Sequence, residues 1–201
     1  MATSHPVHAA LAFILTLMFA SCAPAIKSTG TLEAGWHAMQ PIRAKVLLLI
    51  PDELDQYVYL DSTKGTRFQI PLGRTAADQI DKLVGSAFTS STVQLVASEA
   101  EARDRISGDD PDIRAYDYVA IPKLMNISSR DSGFDQAFEI DVVLELSSPG
   151  GGRVEMIRGH GEARIPVQPG SSPEGSARTA LSYAVDAVKD GLESRRGALS
   201  R

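Results

Sequence analysis

The stretch FEIDVVLELSS, Phe138 to Ser148, decides the fold. Phe138, Ile140, Val142, Leu144 and Leu146 alternate with Glu139, Asp141, Val143 and Glu145. Successive side chains of a strand point to opposite faces, so one side of this segment is wholly apolar and the other carries three carboxylates. That pattern predicts an antiparallel strand with one face on a core and the other toward water.

The neighbouring segments extend the same sheet. Upstream, YDYVAIPKLMNIS (Tyr116 to Ser128) predicts a strand with Val119, Ile121, Met125 and Ile127 on one face. Downstream, PGGG is a turn into VEMIRGHGEARIPV, Val154 to Val167. Three strands joined by short turns form a meander. Nearer the start, AKVLLLIP (Ala44 to Pro51) is a short continuous apolar run, as for a buried strand. YVYL (Tyr57 to Leu60) and TRFQI (Thr66 to Ile70) flank DSTKG and predict a hairpin. VQLVA (Val93 to Ala97) predicts another strand.

Helices are read from a different period. Ala76, Ala77, Ile80, Leu83, Val84, Ala87 and Phe88 recur at helical spacing, with Thr75 and Asp78 as an approximate capping box. Ser98 and Glu101 cap a short helix, SEAEARDRI. At the end of the chain, Ser172 and Pro173 open a long helix with Ala177, Leu181, Ala184, Val185, Val188 and Leu192 as its stripe. Arg195 and Arg196 suit its negative end. These elements predict an α+β two-layer sandwich: a mainly antiparallel sheet with two amphipathic helices packed on one face.

Composition bounds the function. The chain has 201 residues, 43% hydrophobic and 22% charged, the balance of a packed globular domain. Its formal net charge is -5, which argues against nucleic-acid binding, since that needs a basic face. SGDDPD (Ser107 to Asp112) is read as a solvated turn, because a calcium loop needs more ligands at defined spacing. No metal site or cofactor is expected.

Cys22 is the single cysteine, so no internal disulfide can form. It follows Ala9–Ser21, thirteen residues without a charge, too short to span a bilayer but suited to the apolar region of a signal peptide. The stretch Phe19-Ala20-Ser21-Cys22 resembles the lipobox of bacterial lipoproteins, with Phe19 in the place commonly taken by Leu. The resemblance implies cleavage between Ser21 and Cys22 and acylation of Cys22, which would tie the protein to the lipid bilayer. Ala23 after the cysteine, by the sorting rule known for such proteins in enteric bacteria, implies the outer membrane, facing the periplasm. The expected organisation is a signal peptide over 1–21, a lipidated N-terminus and tether over 22–42, and one periplasmic domain over 43–201. Over about 44–195, the pattern KVLLLIPDELDQYVYL, RFQIPLG, DYVAIPKL and a long final helix resembles small outer-membrane lipoproteins of the YajG-like kind. Related architectures in envelope machines act as plugs, rings or adaptors.

Catalysis is not expected. After the leader only His37 and His160 remain, and no GxSxG, HExxH, CxxC or phosphate-binding glycine loop is present. His160, in GHGEAR, is read as a surface residue on a polar strand face. Asp52 and Glu53, after the first strand, are the carboxylates best placed for glycoside cleavage, with a polar turn as the plainer reading. The leading functional reading is an anchored lipoprotein whose domain binds or scaffolds another envelope component, a protein of unknown identity. Tyr57, Tyr59 and Phe68 of the hairpin are the candidate partner surface, with core packing as the competing reading. Alternatives are a lipid- or glycan-binding accessory protein of envelope transport, or a cell-wall hydrolase.

Overall fold

The computed structural model describes residues 39–61, 68–108, 110–166 and 173–200. Cys22, the leader and most of the tether lie outside them, as do residues 62–67 of the hairpin and Ser172. Met39 and Ile42 are already buried in the core, and Gln40 accepts a 3.2 Å hydrogen bond from Arg196. Residues ahead of the first strand therefore already pack on the domain.

In chain order the elements are β1 (Ile42–Pro51), α1 (Asp52–Asp55), β2 (Tyr59–Asp61), β3 (Phe68–Ile70), α2 (Leu72–Ala87) and β4 (Phe88–Val96). They continue with α3 (Glu99–Ser107), β5 (Tyr118–Asp131), β6 (Asp135–Ser147), β7 (Arg153–Pro166), α4 (Glu174–Ser194) and α5 (Arg196–Leu199). A 3-10 turn at Ile113–Ala115 precedes β5. The protein is α+β, with a mainly antiparallel five-stranded sheet in the order β4-β1-β5-β6-β7 and a two-stranded β2-β3 sheet. β5, β6 and β7 form the antiparallel meander. β1 runs parallel to both its neighbours, β4 and β5. The unbroken apolar run of β1 follows from that position, since Val46 through Leu49 are all fully buried on both faces of the sheet.

The alternation in β6 divides the molecule. Phe138, Ile140, Val142, Leu144 and Leu146 are all 0% exposed and meet α2 and α4 in the main core. α4 approaches β7 closely because Gly159 and Gly161 present no side chain to it. The opposite face is not simply wet. α3 and the 3-10 turn cover part of it with a second apolar cluster that includes Leu47, Leu49, Ile106, Ile113, Val119 and Ile121. Glu145 and Asp141 are buried on this face at 5% and 1% exposure.

Two local expectations are corrected. α2 begins at Leu72, so Thr75 lies inside the helix and does not cap it; no side chain caps that end. The face assignment of β5 also changes at Asn126, which has a left-handed φ of 50° and sits within a break in the β5–β6 register. Such an irregularity shifts the side-chain phase. Val119 and Ile121 lie in the second cluster, whereas Ile127, beyond the break, packs against the main core. The cap at Ser98 stands as read, its hydroxyl accepting from the Glu101 amide at 3.1 Å.

Candidate functional site

A groove of about 530 Å³ opens where β1 ends. Its lining comes from three places: Pro51 at the end of β1 with Glu53, Leu54 and Tyr57 just after it, Glu99 at the start of α3, and Pro122 to Met125 of β5. The chain makes this groove because β1 stops at a proline and turns at once into the four residues of α1. The turn is then tied down. The Tyr57 amide donates to the Leu54 carbonyl at 3.1 Å, and the Gly73 amide to the Tyr57 carbonyl at 2.9 Å. A Cβ on Gly73 would stand 1.9 Å from the Leu54 carbonyl oxygen, so this contact between α1 and α2 requires glycine.

The groove is apolar below and charged at its rim. Leu54 is buried, Leu124 packs against the core and Met125 is 47% exposed. At the rim, Glu53 accepts from the Glu99 amide at 3.1 Å, which joins α1 to the start of α3. Lys123 forms ion pairs with Glu99 at 2.8 Å and Glu145 at 3.4 Å. Arg103 holds Glu145 through both carboxylate oxygens, at 2.8 and 3.3 Å, and reaches Glu99 at 2.9 Å. Burial alone would push the Glu145 carboxyl up, but the Arg103 and Lys123 charges outweigh it and hold the group below its ordinary value. Glu99 is lowered in the same way: burial opposes, while bonds from Lys123 and Arg103 prevail. Both carboxylates are kept ionised, the opposite of what a general acid needs.

A second polar cluster adjoins the groove. Asp141 lies opposite Met125 in the β5–β6 register. It accepts from Asn126 Nδ2 at 2.6 Å and from Arg158, and its other oxygen meets His160 Nδ1 at 2.9 Å. Burial would raise its pKa, but these bonds hold it below the usual aspartate value. Arg158 and His160 have side chains 59% and 60% exposed. His160 thus sits on the polar face of β7, as read from the sequence, with its ring oriented by Asp141.

The other candidate residues are distributed as follows. Tyr57 lines the groove, and burial beside Tyr59 pushes its hydroxyl pKa up. Tyr59 turns inward: its ring meets Phe138 edge-on at 5.2 Å and its hydroxyl bonds Ser129 at 3.3 Å. Phe68 is half-buried on β3, and the outward apolar groups here are Val58 and Leu60 at 43% and 69% exposure. Asp52 and Glu53 both belong to α1, but only Glu53 lines the groove. Lys123, Asp141 and Glu145 escaped sequence reading because alternation marks charged strand positions as solvent-facing, and Arg103 because a charged position on a short polar helix reads the same way. Only the tertiary structure shows that α3 covers Glu145 through Arg103 and that Asn126 and Arg158 of the flanking strands cover Asp141.

No family model matches the chain, and no curated protein matches it. Solved structures similar to it include a minor lipoprotein of Acinetobacter baumannii, at 8% identity and a TM-score of 0.44, covering 78% of this chain and 95% of that one. A lipoprotein of Neisseria meningitidis shares 14% identity at a TM-score of 0.41, covering 75% of this chain and 99% of that one. A hypothetical protein of Chlamydia trachomatis shares 10% identity at 0.44, covering 78% and 97%. Likenesses of this order transfer no residue roles, so the reading of the groove rests on its own geometry.

Proposed function

We propose that the chain is a bacterial envelope lipoprotein, held at the outer membrane through acylated Cys22, whose folded domain is a non-catalytic binding module. Its ligand is a segment of another envelope protein, seated in the groove between α1, α3 and β5. The carrying observation is the groove itself: an apolar lining with Met125 exposed, inside a rim whose charged groups are already engaged. A methionine at an open site adapts to a partner's side chains. The paired rim carboxylates favour recognition over acid–base chemistry. The lipobox-like Phe19-Ala20-Ser21-Cys22 supports the anchor, because two or more acyl chains hold a domain stably at a bilayer.

The test is isolation of the full-length, C-terminally tagged protein from its own bacterium in mild detergent, beside Cys22→Ala and Met125→Glu variants. One envelope protein in near-stoichiometric amount, lost with Met125→Glu, is the expected result. Cys22→Ala should move the protein to the soluble fraction. A bound lipid or glycan in place of a protein would establish the carrier reading instead. Recovery of the same partner with Met125→Glu would remove the groove from the proposal.

A further inference from the structure

β5 outruns its parallel neighbour. β1 pairs with it only from Val46 to Leu48, opposite Tyr118 to Ala120, and then stays with β4 as far as Pro51 and Val96. β5 runs on to Asp131. Beyond Ala120, among the described residues, no strand pairs with this side of β5. The groove opens in that lane, between Pro51 and the stretch from Pro122 to Met125. A groove across the face of a strand is lined by alternate residues, because successive side chains point to opposite faces. Here four successive residues line it, so it runs along the edge of β5.

Two observations fix which backbone groups point into the lane. First, Pro122 lies inside an unbroken run of β5–β6 pairs, from Val119 to Met125. A proline is tolerated there with its nitrogen turned away from the ladder, hence away from β6. Second, Lys45 turns its backbone to the start of β5. Its amide donates to Asp117 Oδ2 at 2.8 Å, and its carbonyl accepts from the Asp117 amide at 2.9 Å. Leu47, two residues on, faces the same way and lies opposite Val119. In a parallel pair it bonds the residues flanking that partner, Tyr118 and Ala120. Backbone direction alternates along a strand, so Pro122 and Leu124 point to the same side as Ala120. The Pro122 carbonyl and both the amide and the carbonyl of Leu124 therefore face the groove, whereas Lys123 and Met125 bond to β6.

We infer that the groove takes its occupant as an added β-strand: an extended segment of another protein that pairs with Leu124 in the lane that β1 leaves. The inference rests on the groove reading above and names its binding mode. An acyl chain in the same place would leave the Leu124 amide and two carbonyls unpaired once water is excluded, whereas an extended peptide pairs with them. Alternate side chains of the segment meet different surroundings. One set lies against Leu54, Tyr57 and Leu124, which belong to or pack on the main core, and is apolar. The other lies over Lys123 and Met125 and is uncharged, because Glu99 and Glu145 already neutralise the Lys123 ammonium.

Single-amide deuterium exchange on the full-length, tagged protein in mild detergent, alone and with the protein that co-purifies with it, tests the inference. Alone, the Leu124 amide is expected to exchange faster than those of Lys123 and Met125. In the complex it should slow by about tenfold or more, the factor that a hydrogen bond of ordinary net strength supplies. Leu124→Pro removes that amide and no ladder bond to β6, while Leu124→Ala removes the same side chain and keeps the amide. With circular dichroism and melting matched between the two, partner recovery should fall about tenfold with Leu124→Pro relative to Leu124→Ala. If Leu124→Pro melts lower, the exchange comparison alone decides. A partner lost with Met125→Glu but still held by Leu124→Pro, or a Leu124 amide equally fast in the complex, overturns strand addition and leaves the groove reading standing. A partner kept by Met125→Glu, or no protein recovered, overturns both. A Leu124 amide already protected in the isolated protein would put a segment of the chain itself in the lane, which also overturns the inference.

Discussion

A Cβ atom on Gly161 would stand 1.8 Å from the carbonyl oxygen of Ala180. Gly159, two residues earlier on the same face of β7, stands in the same relation to Ala184, at 1.9 Å. The two glycines let the backbone of α4 lie directly on β7, and that contact buries Ala180, Ala184 and Val188 completely. Gly161→Ala should therefore destabilise the protein by about 3 kcal/mol, the upper range for overpacking, because the obstacle is backbone and cannot swing aside. Gly197→Ala, where a Cβ meets nothing within 4 Å, should be close to neutral. Chemical denaturation of the two variants checks the contrast.

The Asp141 cluster predicts an acid limb. A carboxyl whose pKa is lowered by folding contributes stability above its unfolded value, about 3.9 for aspartate, and loses it as pH falls through the lower folded value. Glu99 and Glu145 have the same sign. Stability should thus hold steady above about pH 5 and fall below about pH 4. Asp141→Ala should lower stability at neutral pH by about 1–3 kcal/mol and make the acid limb shallower. Melting temperatures across the acid range up to neutral pH measure both effects.

Asn126 combines a left-handed backbone with a bond to Asp141. Asn126→Ala loses the 2.6 Å hydrogen bond and must adopt a conformation costing roughly 1–2 kcal/mol for an ordinary L-residue. Asn126→Gly relieves the backbone but not the lost bond, and should be the milder variant. If the two unfold at the same denaturant concentration, the positive φ carries no cost here.

Tyr57 and Tyr59 should separate. Tyr59→Ala removes a ring packed edge-on against Phe138 and should cost about 2–3 kcal/mol of stability. Tyr59→Phe loses only a long hydroxyl contact and should cost less than about 1 kcal/mol. Tyr57→Ala, at the groove wall, should weaken partner recovery more than it weakens the fold. The two readouts are denaturation and pull-down from detergent extracts.

Glu53→Gln and Asp52→Asn test the hydrolytic alternative. If the domain is a binding module, both variants should support the same cellular phenotype as the parent chain at equal protein level. Glu53→Gln keeps an oxygen able to accept from the Glu99 amide, so the start of α3 should remain in place. Loss of phenotype at normal abundance would return the carboxylates to a catalytic role.

The sequence by itself determined where most strands and the longer helices lie, and which side of β6 and of α4 enters the core; Phe88, read into the stripe of α2, instead opens β4, and Asp52–Asp55, read as a turn, forms α1. Those features depend on side chains a few residues apart, and the periods of two and 3.6 display them directly. Ser98 as a cap and the antiparallel pairing of β2 with β3 were visible for the same local reason. Only the tertiary structure decided the rest. A buried run such as Val46–Leu49 tells that both faces are covered, but not that β4 and β5 flank it in parallel. The change of phase at Asn126 depends on one backbone angle that no alternation pattern records. Glu145 and Asp141 read as solvent-facing until Arg103, Lys123, Arg158 and Asn126 arrive from other elements to bury and pair them. Periodicity reports that a face is covered or open, whereas the identity of what covers it is set by contacts between residues distant along the chain. The groove is made of such contacts: Glu53, Glu99 and Lys123 meet only because α1, α3 and β5 converge where β1 ends.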